Sequence, residues 1–263
     1  MNKPFAMTPD REKKFNLAFN LFLVTGMVVA LVITTALKLQ QPGVKTFMLL
    51  LAAFGSLMGV INTVMSANGN ILTFVFGFLD VLIGTIVYLD NGIMGNFALH
   101  AFYFLPMQFV GFWQWRRRGA KVASSGTEGA KVRSRRLSRK EWFALAGGIL
   151  VAATVLYFIL AAVDRAKLGT GGSLDHPKVL LDAVVMTLNI AGQILLSLAF
   201  TEQWYIWILV NITSILLWSV RLAGPDAGEG AVVMLIKYIF YLLNSLNGLR
   251  IWRSRLSAGQ DPA

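Results

Sequence analysis

The chain has 263 residues, of which 56% are hydrophobic and only 14% are charged, and its formal net charge is +11. A soluble domain carries about 25% charged residues, and here the polar residues are confined to short stretches between long apolar runs, so a water-soluble fold is excluded. The absence of cysteine excludes disulfides, thiolate metal sites and a thiol nucleophile.

Eight apolar segments are long enough to cross a bilayer as helices, which takes about 20 residues each. In chain order they cover residues 15–37, 44–65, 70–89, 93–113, 141–163, 178–200, 204–223 and 231–250. Several connections are only a few residues long, so neighbouring helices are antiparallel. The apolar stretch of the first segment is long for a signal peptide, so we predict a retained helix.

The basic residues predict the orientation of these segments. Ten of the 24 Lys and Arg lie between Arg116 and Lys140, four lie in residues 1–14, and three are Arg250, Arg253 and Arg255. Basic clusters beside apolar spans are typical of cytoplasmic anchors that face anionic lipid, which argues against nucleic-acid binding. Eight spans place all three clusters on one side, so we predict a multi-pass membrane protein with cytoplasmic N- and C-termini.

An internal repeat divides the eight segments. The pattern Gly-x-x-x-Trp-Arg ends the fourth segment at Gly111 and the eighth at Gly248, 137 positions apart, and the spans repeat with the same period. Segments two to four and six to eight are therefore predicted to form two parallel three-helix repeats, a 1+3+1+3 layout. The predicted divisions are a peripheral N-terminal helix (1–40), a first repeat (41–115), a basic cytoplasmic linker plus inverting helix (116–177), a second repeat (178–255) and a tail (256–263).

The seventh segment carries the clearest candidate binding face. Trp204, Trp207 and Asn211 share one side of a helix. An indole that stacks on a ring and an amide that pairs with its polar edge suit a flat heteroaromatic ligand. The alternative is that Trp204 anchors at the membrane interface and Asn211 bonds a neighbouring helix. For Trp204 the two interpretations remain open, whereas Trp207 with Asn211 favours the site.

Other polar side chains inside the spans are candidates for the same site, because polar groups in hydrocarbon usually face a bundle interior. They are Asn62 in the second segment, Asn189 and Gln193 in the sixth, and Tyr241 and Asn244 in the eighth. Hydrogen bonds between helices are the alternative role for each.

Four ionisable residues also lie within the spans: Asp80, His100, Asp182 and Lys237. We expect a structural pair of Asp80 or Asp182 with Lys237 rather than a proton path. His100 is expected to be a satisfied interior residue rather than a metal ligand. No metal or cofactor is predicted.

The pattern Glu202-x-Trp204-x-x-Trp207-x-x-x-Asn211, together with Gly111-x-x-x-Trp115, Gly248-x-x-x-Trp252 and the 1+3+1+3 layout, resembles the PnuC-type bacterial vitamin transporters over residues 44–253. The resemblance implies a fold similar to the SWEET sugar transporters, homotrimers and an inner-membrane location. It also implies facilitated diffusion of nicotinamide riboside, which a cytoplasmic kinase traps by phosphorylation.

Of the candidate residues, the resemblance carries over to Trp204, Trp207 and Asn211 only. The others follow from helix face and depth. Thiamine or riboflavin transport by the same fold is the nearest alternative. A membrane-embedded enzyme is disfavoured because metal or acid–base catalysis needs clustered His and carboxylate side chains, and the two histidines lie far apart in the sequence. A non-transporting scaffold is disfavoured because it would not need polar residues on the inward helix faces. No Gly-Lys pair forms a P-loop, so ATP is not the direct drive, and ion coupling stays open.

Overall fold

The computed structural model describes residues 8–90, 94–122, 130–168, 174, 176–223 and 230–257. These residues form long helices joined by short turns. The helices are α1 (Pro9–Leu39), α2 (Thr46–Ala67), α3 (Thr73–Asp90), α4 (Met94–Leu99), α5 (Leu105–Arg117), α6 (Arg139–Leu168), α7 (His176–Ser197), α8 (Gln203–Ala223) and α9 (Gly230–Ser257). A π-helical turn, His100–Phe104, joins α4 to α5 in one continuous helix. The described part of the chain therefore holds eight helical rods, one for each predicted segment.

Within those residues, five helices are long and apolar enough to cross a membrane: α1, α2, α3, α6 and α7. The π-turn divides α4 from α5, so neither of these two helices reaches that length by itself. The outer face of α6 is apolar and exposed, with Phe143 at 80% and Leu150 at 70%, which suits contact with lipid. The all-helical, multi-pass membrane class is confirmed.

The helices pack as a bundle in which α2 lies against α3, and α8 against α9. Contacts of α2 with α9 and of α5 with α7 connect the early and late parts of the chain. The first helix packs on α2 and α9, where Arg250 forms an ion pair with Glu12 at 3.2 Å and also bonds Asn16. The start of α1 and the end of α9 therefore lie at the same end of the bundle.

Two tight turns at that end have the same backbone form. Gly69 between α2 and α3 has φ 66°, and Ala199 between α7 and α8 has φ 60°. Each is followed by an amide that bonds back into the preceding helix, Asn70 N to Met65 O and Phe200 N to Leu195 O, both at 2.9 Å. Positive φ costs alanine free energy that glycine does not lose, so Ala199 is strained where Gly69 is not.

Four aromatic rings form a cluster beside these turns, which we name the aromatic floor: Phe74, Trp115, Trp204 and Trp252. The ring centroids are 5.0 Å apart for Phe74 and Trp115, 5.8 Å for Trp115 and Trp252, and 6.0 Å for Trp204 and Trp252. Phe74 and Trp204, which are 130 positions apart, each lie over a glycine. A Cβ on Gly111 would be 2.1 Å from Phe74, and one on Gly248 would be 2.6 Å from Trp204, so neither glycine can be enlarged without displacing a ring.

The two tryptophans that end α5 and α9 make reciprocal hydrogen bonds. Trp115 Nε1 donates to Leu196 O at the end of α7 at 2.8 Å. Trp252 Nε1 donates to Ser66 O at 3.3 Å and to Ala67 O at 3.2 Å, at the end of α2. Both indoles are fully buried. Each bond joins a helix in one part of the chain to a helix in the other.

Residues 130–137, which we name the strap, run across both turns. Val132 N donates to Gly69 O at 3.0 Å, and Arg135 N donates to Ala199 O at 2.9 Å. Further along, Leu137 N donates to the Glu202 carboxylate at 3.1 Å. Burial raises the pKa of Glu202 above its usual value, although this hydrogen bond opposes the shift. The strap thus lies at the same end of the bundle as the start of α1 and the end of α9, and we name this the linker end.

Candidate functional site

A cavity of about 270 Å³ lies inside the bundle, between the aromatic floor and the opposite end. Residues from α2, α3, α5, α7, α8, α9 and the π-turn line it. Its volume is close to the lower limit of about 300 Å³ for small-molecule sites. All eight residues that we predicted from the sequence line this one cavity: Asn62, Asn189, Gln193, Trp204, Trp207, Asn211, Tyr241 and Asn244.

The part nearest the linker end is aromatic and amide-lined. Trp204 belongs to the aromatic floor and is only 2% exposed, and its Nε1 has no hydrogen-bond partner among the described residues. Trp207 stands one helical turn deeper and lies over Gly192, whose missing Cβ would be 3.0 Å from the indole. The absence of a side chain at Gly192 therefore gives the Trp207 ring its place on the cavity wall.

The depth of the other lining residues follows from their helical positions. We count positions along each helix from the residue that it contributes to the aromatic floor. At a rise of about 1.5 Å per residue, a residue six or seven positions away lies about 10 Å from the floor. A residue fourteen or fifteen positions away lies about 20 Å from it. The first group forms the middle layer of the cavity and the second forms the outer layer. The middle layer contains Asp80, Gln108, Asn211 and Ser245, and the outer layer contains Tyr88, His100, Lys237 and Tyr238.

Hydrogen bonds hold the middle layer in place. Asn211 Nδ2 donates to Ser245 Oγ at 3.0 Å, and Ser245 Oγ donates to Tyr241 O at 2.8 Å. Gln108 Nε2 donates to Phe104 O at 3.1 Å, while its Oε1 would be 2.4 Å from a Cβ on Gly77. Asn211, Ser245 and Gln108 are thus held by hydrogen bonds before any ligand binds, which reduces the entropy lost on binding.

The remaining predicted amides are also held by neighbouring groups. Asn62 Oδ1 accepts a hydrogen bond from Thr73 Oγ1 at 2.5 Å. Asn244 Nδ2 donates to Thr63 O at 2.9 Å, which joins α9 to α2. On α7, Asn189 Nδ2 bonds Val185 O at 2.8 Å and Gln193 Nε2 bonds Ser197 Oγ at 3.4 Å. These amides therefore combine a helix-bonding role with a position on the cavity wall.

The outer layer is rich in rings and holds a cation. The Tyr88 and His100 rings are 4.7 Å apart and edge-on, and His100 Nδ1 lies 2.9 Å from Asn96 O. His100 is thus a bonded interior residue, as predicted. Lys237 Nζ lies 5.4 Å from the centroid of the Tyr241 ring. In the described part of the chain, no group of three His, Asp or Glu residues could hold a metal ion.

We expected Lys237 to form an ion pair with Asp80 or Asp182. Asp80 forms no such pair with Lys237. Ion pairs of the described residues include Lys45–Asp90, Arg135–Glu141 and Arg250–Glu12, and none of these three involves Asp80 or Lys237. Asp80 belongs to the middle layer and Lys237 to the outer layer, so helix register separates them. Asp182 is exposed and does not line the cavity.

Several lining residues were missed by sequence reasoning, notably Gln108, Ser245, Tyr88, Ser66 and Phe104. The repeat itself contained a signal for two of them. Gln108 precedes Gly111 by three positions, as Ser245 precedes Gly248. Comparing the two endings position by position would have placed both on the inward face. Tyr88 carries no comparable signal, because tyrosine is also common at membrane interfaces.

Comparison with known proteins bears on the identity of this bundle. Residues 49–254 match the family model described as "Nicotinamide mononucleotide transporter". The chain is 31% identical to the nicotinamide riboside transporter PnuC of Neisseria mucosa over 77% of this chain and 71% of that protein. It is 30% identical to the protein of the same name from Haemophilus influenzae, over 77% of this chain and 78% of that protein.

A solved structure gives the same result at the level of the fold. The crystal structure of the vitamin B3 transporter PnuC superimposes with a TM-score of 0.65 and 25% identity, over 90% of this chain and 92% of that one. The chain therefore belongs to the nicotinamide mononucleotide transporter family, as the resemblance found in its sequence predicted.

Proposed function

We propose that this protein transports nicotinamide riboside, and that the riboside binds in the cavity above the aromatic floor. The observation that carries the proposal is the grouping of Trp207, Asn211 and the other predicted polar residues on the walls of one internal cavity. Relatives that are 30% and 31% identical bear the name of nicotinamide riboside transporters. In this proposal the Trp207 indole stacks on the nicotinamide ring, and amides of the cavity wall, such as Asn211, bond the carboxamide and ribose.

The proposed architecture is 1+3+1+3, similar to the SWEET transporters. Residues 41–115 and 178–255 are the two parallel repeats, 1–40 is the peripheral helix, 116–177 holds the linker and inverting helix, and 256–263 is the tail. The equivalence of the two turns and of Phe74 with Trp204 supports this division, because both pairs are 130 positions apart. The reciprocal bonds of Trp115 and Trp252 are what a pseudo-twofold axis between the repeats requires.

The proposed mechanism is alternating access by rocking of one repeat against the other. Contacts that cross between the repeats, such as Asn244 to Thr63 and the reciprocal tryptophan bonds, are those that rocking has to rearrange. Transport is uniport, that is, facilitated diffusion, and the protein is not an enzyme. A cytoplasmic kinase phosphorylates the riboside after entry, which keeps the concentration gradient inward.

The proposed setting is the bacterial inner membrane, with the linker end and both termini in the cytoplasm. Arginines at the linker end, including Arg116, Arg133 and Arg136, suit a surface facing anionic lipid. A homotrimer is the proposed assembly, and the exposed apolar faces of α1 and α6 provide surface for both lipid and neighbouring copies.

Uptake into liposomes that contain the purified full-length protein tests this function. We expect saturable entry of labelled nicotinamide riboside without any imposed proton or sodium gradient, and competition by unlabelled riboside. Thiamine and riboflavin in excess are expected to leave uptake unchanged. Uptake that is blocked by thiamine or riboflavin would assign another vitamin, and uptake that requires a proton gradient would replace uniport by coupled transport.

A further inference from the structure

We propose that Asp80 is the specificity-determining counter-ion of this cavity and selects a ligand whose flat ring carries a positive charge. The inference rests on the proposed function and assigns a role to a residue that the Trp-x-x-Trp-x-x-x-Asn face does not include. Asp80 lines the cavity from α3, and Trp207 and Asn211 line the same cavity from α8. It lies at the depth of Asn211, about 10 Å from the aromatic floor by helix rise.

The position of the Asp80 carboxylate depends on Gly59 of α2, against which it packs. A Cβ on Gly59 would lie 2.9 Å from Oδ2 and 3.0 Å from Oδ1 of Asp80. The carboxylate therefore packs flat against the backbone of α2, in space that any side chain at position 59 would occupy. This contact leaves the Asp80 side chain at a defined place on the cavity wall.

No hydrogen bond or ion pair from the described part of the chain reaches this carboxylate. Lys237 lines the same cavity and interacts with this carboxylate electrostatically without forming an ion pair with it. An ionised carboxylate without a bonded partner is costly inside a membrane protein, and such residues usually serve an ion or substrate pathway. The negative charge therefore remains available to whatever occupies the middle layer.

Nicotinamide riboside has the chemistry that this charge would recognise. Its ring nitrogen is bonded to the ribose, so the pyridinium ring is permanently positive at every pH. A ring stacked on Trp207, one helical turn nearer the linker end, would have its positive charge within reach of Asp80. The reduced 1,4-dihydro form has the same ribose and carboxamide but an uncharged ring. The two compounds therefore separate recognition of charge from recognition of shape.

Isothermal titration of the purified full-length protein with both compounds tests the inference. For the wild type we expect the cationic riboside to bind about tenfold more tightly than the dihydro form. In Asp80→Asn this preference is expected to fall to about twofold or less, through loss of affinity for the cation. Asp80→Glu keeps the charge and should retain most of the preference. Gly59→Ala leaves Asp80 in the chain but displaces its carboxylate, and should reduce the preference in a protein that is still folded.

Asp90→Asn is the matched control, because it removes the same charge from the same helix outside the cavity, where Asp90 pairs with Lys45 at 2.8 Å. It should keep the wild-type preference. An unchanged preference in Asp80→Asn would overturn the role of Asp80 alone, since riboside binding by the wild type would still stand. A wild type that binds neither compound would overturn the proposed substrate, and the role of Asp80 with it.

Discussion

Gly192→Ala is expected to weaken nicotinamide riboside binding although the substituted residue makes no contact with the ligand. A Cβ at this position would lie 3.0 Å from Cε2 and Cζ2 of Trp207 and 3.1 Å from Cη2. Contacts this short force the indole to move by a few tenths of an ångström. The ring moves toward the cavity, which narrows the space for a ligand and disturbs its stacking on the indole.

The expected magnitude follows from two opposing effects. Stacking of a base on an aromatic side chain contributes about 1–3 kcal/mol, and losing about half of it weakens binding by about 1 kcal/mol, or about fivefold in Kd. Alanine is also the better helix former by about 0.8–1.0 kcal/mol. This gain offsets part of the steric cost, so Gly192→Ala should unfold within a few degrees of the wild type.

Gly148→Ala provides the matched control, since a Cβ there has no neighbour within 4 Å. It should gain the same helix propensity and leave Kd unchanged. Titration calorimetry gives Kd for the wild type and both variants, and thermal unfolding gives their stability. Wild-type Kd in Gly192→Ala, or equal weakening in both variants, would refute the assignment of Trp207 to the binding wall.

Three further predictions concern the linker end. Trp115→Phe removes the hydrogen bond that the indole makes between helices, so thermal unfolding should show a free energy of unfolding lower by about 1–3 kcal/mol. Trp113→Phe should change it little, because Trp113 is 51% exposed on the outer face. Equal losses in the two variants would contradict this prediction. Ala199→Gly should stabilise by about 0.5–1 kcal/mol because φ is 60° there, whereas Gly69→Ala should destabilise; effects of the same sign in the two turns would contradict the strain. Burial raises the pKa of Glu202, so the folded protein binds its proton more tightly than the unfolded chain, and stability falls as pH rises from the unfolded pKa of about 4.3 through the raised folded pKa. In Glu202→Gln this position does not titrate. The melting temperature of the variant minus that of the wild type should therefore increase between the unfolded and folded pKa of Glu202 and stay constant at higher pH. A difference that does not depend on pH would contradict the raised pKa.

The sequence predicted the number and order of the helices because crossing a bilayer imposes a length that can be counted. It also placed eight polar residues on one cavity, since polar groups avoid lipid and helical spacing assigns them to faces. The boundaries were less accurate. Residues 198–200 were assigned to a span, but the chain turns at Ala199 with positive φ, which apolar composition does not reveal.

Contacts between distant helices were beyond the reach of the sequence. The expected pair of Asp80 with Lys237 required knowing how α3 and α9 are offset, which depends on packing at the aromatic floor. The strap was predicted only as a basic linker. Its bonds to Gly69 and Ala199 use backbone amides, which every residue has, so composition gives no sign of them. The roles of Gly59 and Gly192 are likewise visible only in the structure, where Asp80 packs against Gly59 and Trp207 against Gly192.

The most direct test of the central claim is an experimental structure of this protein with nicotinamide riboside bound. We expect density for the riboside in the cavity above the aromatic floor, with the nicotinamide ring stacked on Trp207 and its positively charged ring near the Asp80 carboxylate. Density for the riboside at another position, or an empty cavity at a riboside concentration that saturates binding in solution, would contradict it.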